Sequence, residues 1–546
     1  MKYGFVIDNR KCIGCHACTT ACKSEHEVPV GVFRTWVKQV EKGAFPNTRR
    51  LFSVLRCNHC TEAPCVEICP VSALFFRPDG IVDFDKNRCI GCKSCMQACP
   101  YDALYIDPDT RTAAKCNYCA HRVDIGLEPA CVVVCPEHAI ISGDMDDPHA
   151  EISITLARHQ TTVRKPEKGT VPNLFYIDGD AFSLTPTAAG QPDGNLWSAQ
   201  TRGVGHFAKY TERLAWQGED LVKELLEKSG NALHVPAGEN FFPQRNIEVL
   251  TGKNVKRVYN APAKGLLWGW EVPAYVTMKA VAAGAFLVPM LSLVIRNSRG
   301  YIGLGNLFAG IITGLIFLVA TTALLVKDLD QPKRFHYVLL RPQWKSWLVR
   351  GGYALTLYGG LLTLTGLALW FVGSSVWGAV LPWLAVATAI AAIVTAVYTA
   401  FLFAQARGRD FWQSPLLPLH MLVHAFVAGG AIFTLLDAVG LTKAGNFAAW
   451  VLLLSLCANL LVLLAELTVA HPTSDAKATA AMILKGPYRS RFWWAVITGN
   501  IIPLLLLSGV SLLPAPLAVA LALLALHGMY AVEKIWIEAP QMIALS

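Results

Sequence analysis

The sequence predicts two unlike halves: a compact α+β domain of short elements, followed by an all-α bundle of eight membrane-crossing helices. Three observations predict this division. Sixteen of the seventeen cysteines fall between positions 12 and 135, and only Cys457 lies later. The long apolar runs all lie beyond position 262. Residues 1 to 262 hold 30 Lys+Arg against 30 Asp+Glu, and residues 263 to 546 hold 18 against 9, so the whole formal charge of +9 belongs to the second half. Lysines and arginines in loops beside apolar spans are the usual mark of membrane orientation, so the positive charge does not call for a nucleic-acid partner.

The cysteines form four groups: Cys12, Cys15, Cys18, Cys22; then Cys57, Cys60, Cys65, Cys69; then Cys89, Cys92, Cys95, Cys99; then Cys116, Cys119, Cys131, Cys135. Groups one and three share the spacing C-x2-C-x2-C-x3-C and the residues "CIGC", an internal repeat. Proline follows the last cysteine of groups two, three and four, whereas Lys23 follows Cys22. In runs of this kind three thiolates of one group hold a cubane iron–sulfur cluster, and the fourth cysteine reaches across to the other cluster of a pair. Tetrahedral zinc uses two separated CxxC knuckles and has no use for the third and fourth cysteines of these runs. A disulfide framework would need export, and the opening "MKYGFVIDNRKC" shows neither an apolar signal core nor a twin arginine. The spacing leaves two ways of sharing clusters, one with two and three with four, or one with four and two with three. Trp36, Tyr101 and His121 read as packing or solvated residues rather than ligands.

The four groups in this order, the widened groups "CNHCTEAPCVEICP" and "CNYCAHRVDIGLEPACVVVCP", and the following "GDMDDPHAEIS" resemble a family over residues 1–185. It comprises the ferredoxin-like, four-cluster electron-transfer subunits that serve molybdopterin oxidoreductases, such as dimethyl sulfoxide, polysulfide and tetrathionate reductases and sulfite dehydrogenase. The resemblance implies four [4Fe–4S] clusters in nested pairing. Cluster 1 would take Cys12, Cys15, Cys18 and Cys135, and cluster 2 would take Cys22, Cys116, Cys119 and Cys131. Cluster 3 would take Cys57, Cys60, Cys65 and Cys99, and cluster 4 would take Cys69, Cys89, Cys92 and Cys95.

Residues 186–262 read as a connector, irregular at "LTPTAAGQPDGN", with one short amphipathic helix at "EDLVKELLEKSG" that ends on a glycine. Residues 263–546 form the membrane domain. Apolar segments of spanning length run near 267–295, 302–326, 351–373, 377–404, 414–438, 447–470, 493–512 and 516–537. The loops on the N-terminal side carry twelve cations: Lys327, Lys333, Arg334, Arg341, Lys345, Arg350, Arg407, Arg409, Lys477, Lys485, Arg489 and Arg491. Opposite them stand Arg296, Arg299 and Lys443. The positive-inside rule therefore puts the cysteine domain in the cytoplasm rather than the periplasm, at the inner membrane of a bacterium.

Ionisable residues inside spans cost roughly 2.5–3.5 kcal/mol each at mid-helix, so their placement is informative. Glu271 and Tyr275 open the first span, with Lys279 about 12 Å deeper at 1.5 Å per residue. Tyr398 ends the fourth span, His420 and His424 open the fifth, and Glu466 closes the sixth. All of these fall in the leaflet nearest the cysteine domain, and Asp437 lies toward the other face. Proton-capable groups beside a supply of single electrons are what a quinone requires, because two electrons and two protons must meet at one ring. The expected substrate is menaquinone or ubiquinone, with Glu271, Tyr275, Lys279, Tyr398, His420, His424 and Glu466 as candidates. No haem is expected, since His420 and His424 face one way and cannot be opposite axial ligands, with His527 elsewhere.

The stretches "WGWEVPAYVTMKAVAAGAFLV", "DLDQPKRFHYVLLRP", "YTAFLFAQARGRDFW" and "LAELTVAHP" resemble the eight-helix anchor family of the polysulfide reductase membrane subunit and NrfD. That resemblance covers about residues 265–540 and implies a quinone site on the cluster side, with Tyr398 at its quinone-binding tyrosine. The first-span histidine of the polysulfide enzyme has no counterpart, which leaves Glu271 and Tyr275 in that place. The expectation is a fused electron-transfer and membrane-anchor subunit whose catalytic, molybdopterin-bearing subunit is a separate partner. Alternatives are an ion-translocating module using Lys279, Asp437 and Glu466, and a partner of a multihaem cytochrome or hydrogenase.

Overall fold

A computed structural model describes residues 1–44, 46–189, 255–296, 301–371, 375–443, 446–508 and 514–546. The amphipathic helix expected at "EDLVKELLEKSG" lies outside the described residues. The chain divides into two compact units, one of Met1–Leu267 with Ala406–Arg409 and Gln541–Ser546, the other of Trp268–Gln405 with Asp410–Pro540.

The first unit is strand-rich, and its strands are short. Strand β1 (Tyr3–Asp8) alternates its apolar residues between two faces, as the two-residue period of a strand requires. Phe5 and Ile7 pack with Leu174, Tyr176, Ile140 and the cysteines Cys18 and Cys131. Val6 faces the other way, onto Ile141, Ile152 and Ile177. Two further strands, β2 (Thr35–Ala44) and β3 (Asn47–Arg56), form a ten-residue hairpin with Thr35 opposite Arg56 and Ala44 opposite Asn47. Gly43 (φ +102°), near the end of β2, takes a conformation that residues with side chains rarely adopt. Two small hairpins follow, β4 (Leu74–Phe76) with β5 (Val82–Phe84), and β6 (Leu104–Ile106) with β7 (Ala113–Lys115). Strand β8 (Ile140–Asp144) lies antiparallel to β1, and β9 (Thr161–Thr162) and β10 (Leu174–Ile177) complete a sheet in the order β8-β1-β10-β9. The end of the connector is itself structured, because β11 (Val255–Tyr259) pairs antiparallel with β2.

Short helices lie among the cysteines. They are α1 (Ala17–Glu25), α2 (Pro64–Ile68), α3 (Ser94–Ala98), α4 (Ala120–Val123) and α5 (Ala130–Val133). Helices α2 and α3 stop at Cys69 (φ −65°, ψ 116°) and Cys99 (φ −75°, ψ 114°), which are extended as residues before proline are. Helix α1 instead runs through Cys22 to Glu25. A proline after Cys22 would sit inside the helix, where it removes a hydrogen bond and clashes with the preceding turn. Lys23 occupies that position, and its Nζ donates to the carbonyls of Pro29 (2.9 Å) and Val32 (2.6 Å).

The second unit is helical, with eight helices long and apolar enough to cross a membrane among the described residues. They are α6 (Glu271–Arg296), α7 (Tyr301–Lys327), α8 (Trp347–Trp370), α9 (Ser375–Gln405), α10 (Leu417–Ala438), α11 (Asn446–Thr468), the segment Arg489–Ser508, and one at Ala515–Gln541. Helices α6 and α10 are the innermost, 61% and 67% buried over their apolar windows against 28% to 50% for the others. They meet at glycines: a Cβ on Gly284 would lie 1.9 Å from the Ala425 carbonyl oxygen and 2.7 Å from the Gly429 nitrogen. Small residues at such crossings let helix backbones approach, as in membrane bundles generally. The outer faces carry exposed Ile316, Trp383, Leu454 and Leu464, apolar surface suited to lipid.

Several boundaries differ from the apolar segments by up to four residues, the first spanning helix starting at Glu271 and the last ending at Gln541. The third and seventh helices begin at Trp347 and Arg489, four residues before the apolar runs, because Arg350 and Arg491 interrupt the hydropathy without interrupting the helix. Helix α12 (Ser474–Leu484) lies in what reads as a loop, capped by Thr473, whose Oγ1 accepts from the Ala476 N–H at 3.2 Å. The seventh span is two helices, α13 (Arg489–Val496) and α14 (Ile502–Ser508), joined by a π-helical turn at Ile497–Ile501. The last span is α15 (Ala515–Gln541).

Candidate functional site: cysteine cavities and a buried polar cluster

Three cavities in the first unit are each bordered by four cysteines. One is lined by Cys12, Cys15, Cys18 and Cys135, a second by Cys57, Cys60, Cys65 and Cys99, and a third by Cys69, Cys89, Cys92 and Cys95. Cys22 lies within electrostatic reach of Cys116, Cys119 and Cys131. Group one thus meets group four across more than 100 residues of chain, and group two meets group three.

The surroundings of these sulfurs suit a bound iron–sulfur centre. Backbone N–H groups point at them: Ala73 at Cys69 (3.2 Å), Ala113 at Cys89 (3.3 Å) and Ala139 at Cys135 (3.3 Å). Arg56, wholly buried and stacked on the Phe5 ring, donates from Nη1 to Cys131 Sγ at 3.0 Å. His26 Nε2 lies 3.2 Å from Cys119 Sγ. Burial, with Arg34 close by, lowers the His26 pKa to about 4. Burial pushes the Cys18, Cys92 and Cys119 thiols up to about 12, with neighbouring cysteines adding to the rise. Such a set becomes thiolate only when what it binds brings positive charge, as iron does.

Trp36 and Tyr101 are buried packing residues, bonded to Asn260 Oδ1 (2.8 Å) and Thr170 Oγ1 (2.5 Å). His121 is exposed and pairs with Glu25 at 2.7 Å. Arg407 and Arg409, counted among the orienting loop cations, belong to the first unit. Arg407 pairs with Glu67 at 3.2 Å, and Arg409 Nε donates to Gln97 Oε1 at 2.9 Å. Their charge therefore serves packing as well as orientation.

In the second unit the ionisable residues gather in two groups. Lys279 on α6 donates from Nζ to the Ala396 carbonyl (2.9 Å) and Thr399 Oγ1 (2.5 Å), and sits 4.7 Å from the Tyr398 ring centroid. Tyr275 lies within electrostatic reach of Tyr398. The other group joins α10, α11, α15 and the π turn. His420 Nδ1 meets Glu466 Oε2 at 2.6 Å, and Trp536 Nε1 donates to the same oxygen at 3.0 Å. His424 Nδ1 meets Glu533 Oε1 at 2.7 Å, and its Nε2 meets Asn459 Oδ1 at 3.1 Å. Asn459 Nδ2 in turn donates to Asn500 Oδ1 at 2.7 Å. All five of His420, His424, Asn459, Glu466 and Glu533 are buried.

Glu271, half-buried at the start of α6, is joined to neither group by a hydrogen bond among the described residues. Asp437 lies seventeen residues beyond His420 on α10, about 25 Å along the helix axis at 1.5 Å per residue. His527 packs edge-on against Trp494, with ring centroids 5.2 Å apart. Sequence reasoning missed Glu533, Asn459 and Asn500. Glu533 carried a signal, being a carboxylate inside the eighth apolar run, but "VEKIWIE" reads as the polar end of a helix.

Comparison with known proteins follows this division. Two 4Fe-4S dicluster domain models match residues 5–70 and 48–145, and a model described as polysulphide reductase, NrfD matches residues 259–543. A tetrathionate reductase subunit of Salmonella typhimurium is 46% identical over 201 residues, which are 36% of this chain and 80% of that protein. A polysulfide reductase subunit of Wolinella succinogenes is 43% identical over 181 residues, 32% of this chain and 94% of its own. The arsenate respiratory reductase iron-sulfur subunit of a Shewanella species is 33% identical over 225 residues, 32% of this chain and 96% of its own. The chain belongs to the polysulphide reductase/NrfD family of multi-pass membrane proteins, fused to an iron–sulfur electron-transfer subunit of the reductase type.

Proposed function

We propose that this chain carries electrons between a separate molybdopterin-type catalytic subunit and membrane quinone, menaquinone or ubiquinone. The observation that carries the proposal is the pairing, on one chain, of cysteine-bordered cavities with a buried His, Glu, Lys and Tyr group inside a membrane bundle. In this reading four [4Fe–4S] clusters take the nested cysteine sets, and when bound they supply one-electron relay. The protein's own residues set their surroundings: Arg56 donates an N–H to Cys131, and His26 Nε2 lies within hydrogen-bond distance of Cys119. The cavities that bring Cys135 to the first group and Cys99 to the second support the nested sharing.

The quinone site is assigned to the bundle interior around Tyr398, Lys279 and His420, whose side chains offer the hydrogen bonds and protons that quinone carbonyls require. Glu271 and Tyr275 remain candidates at the mouth of the first span. Changing Tyr398 to Phe or His420 to Gln is expected to slow quinol-linked electron transfer at least tenfold while cluster absorbance stays intact. Turnover unchanged in both variants would refute the placement. The loop cations favour a cytoplasmic face for the cysteine unit at a bacterial inner membrane. A tag at Met1 should then resist protease in intact cells and be cleaved in inverted vesicles; the opposite pattern reverses the orientation.

A further inference from the structure

The proposed quinone chemistry leaves open where its two protons are held, and the hydrogen-bond directions inside the bundle narrow the choice. Asn459 gives its amide N–H to Asn500 Oδ1, so its own Oδ1 is an acceptor, and His424 must present a proton at Nε2. That leaves His424 Nδ1 facing Glu533 Oε1 at 2.7 Å, a contact that needs one proton between the two atoms. Glu466 Oε2 accepts from Trp536 Nε1 and is met by His420 Nδ1, so His420 holds its proton at Nδ1. His420 Nε2 is buried and has no hydrogen-bond partner among the described residues. It points toward Glu533 Oε1, 3.9 Å away. The exchangeable positions, His420 Nε2 and the His424–Glu533 contact, have Glu533 Oε1 as their common neighbour.

Charge then fixes the number. Two carboxylates and two imidazoles are neutral as a set when they hold two protons beyond the fixed ones, and buried charge is costly unless it is paired. Two is also the number of protons that one quinone takes up. The π turn that carries Asn500 departs from regular helix at this point, as such turns often do at functional sites.

We propose that His420, His424 and Glu533 form a two-proton store for quinone turnover, with Glu466, Asn459 and Asn500 fixing its tautomers. This inference rests on the quinone reading above. In quinone reduction, the two electrons would be supplied by the catalytic partner by way of the clusters that the cysteine sets would hold. The protons at His420 Nε2 and on the His424–Glu533 pair form the two O–H bonds of the quinol. His420 is left neutral and Glu533 as a carboxylate until both are refilled. Quinol oxidation breaks the same O–H bonds and returns both protons to these positions, and the clusters held by the cysteine sets would take up both electrons. Among the described residues, Lys279 and Tyr275 lie within electrostatic reach of Glu533, and the Tyr398 ring lies beside Lys279.

The test uses the intact complex in lipid nanodiscs, with a short-chain quinol as electron donor. In Glu533→Gln, cluster reduction by quinol should slow about 100-fold, the scale of a lost proton-transfer group. Its solvent deuterium isotope effect should rise, and its dependence on pH should change shape. Dithionite should still reduce the clusters at the normal rate, and an infrared band of a protonated carboxyl should disappear. Glu533→Asp, which keeps the carboxyl, should recover much of the rate. Wild-type rate and isotope effect in Glu533→Gln would overturn the store while leaving the quinone reading intact. One equivalent of bound transition metal, lost in His424→Gln, would also overturn it, because the same three side chains would then be ligands. Wild-type clusters that exchange electrons with no quinol or quinone would overturn the quinone reading, and the store with it.

Discussion

The two units are stabilised by opposite means. The first gathers short strands and one- or two-turn helices around cysteine sulfurs, and its apolar clusters include Cys18 and Cys131 themselves. The second is built from long helices whose cores are aliphatic, with Ala282, Phe286, Leu362 and Ala392 wholly buried. Small metal domains of the first kind owe much of their folding free energy to the bound metal. Helices in a bilayer satisfy their own backbone hydrogen bonds and associate through close packing. Function divides along the same line: the sulfur-lined unit is of the electron-transfer type, and the apolar unit isolates a few hydrogen-bonded polar side chains.

The largest test of this contrast is to remove iron. A chelator under oxidising conditions is expected to make residues 1–189 sensitive to protease, while the far-ultraviolet signal of the membrane helices persists. A first unit that stayed protease-resistant without metal would show that its strands suffice. A narrower break is Lys23→Pro, which puts proline inside α1 at a cost of about 3 kcal/mol. It should reduce the iron content of the first cysteine group, whereas Lys23→Ala, which keeps the backbone bonded, should load normally. Full iron in the proline variant would undo the explanation of why Cys22 alone is not followed by proline.

The smallest expected effect falls on the second unit. Gly284→Leu forces a side chain into the crossing with Ala425 and Gly429 and should cost about 1–3 kcal/mol, the usual range for overpacking. Thermal aggregation of the membrane unit should begin at lower temperature, with cluster absorbance unaltered until it does. An unchanged transition would mean that the two helices separate freely.

Much of this was legible before any coordinates. The number of spans followed from apolar length, and errors were confined to ends such as Trp347 and Arg489, where a charged residue lies within the helix. Helix α12 was missed because its caps, not its hydropathy, define it. His420, His424, Glu466 and Lys279 were found because each is costly in lipid. Their partners were less visible: Asn459 and Asn500 resemble ordinary polar residues in apolar runs, and Glu533 was hidden among the charges ending the last helix.

Residue type and local spacing by themselves indicated what the first half binds, because three thiolates that hold three corners of one cluster from a single loop must lie within a few residues of one another. They also determined that the second half crosses a membrane, since span length is a property of a single helix. Tertiary structure alone decided which distant cysteine borders each of the three cavities, because Cys18 and Cys135 meet only through the packing of strands far apart in the chain. It also decided that Glu533 faces His424: which sides of α10, α11 and α15 adjoin is set by how the helices pack, and no one-dimensional pattern records that choice.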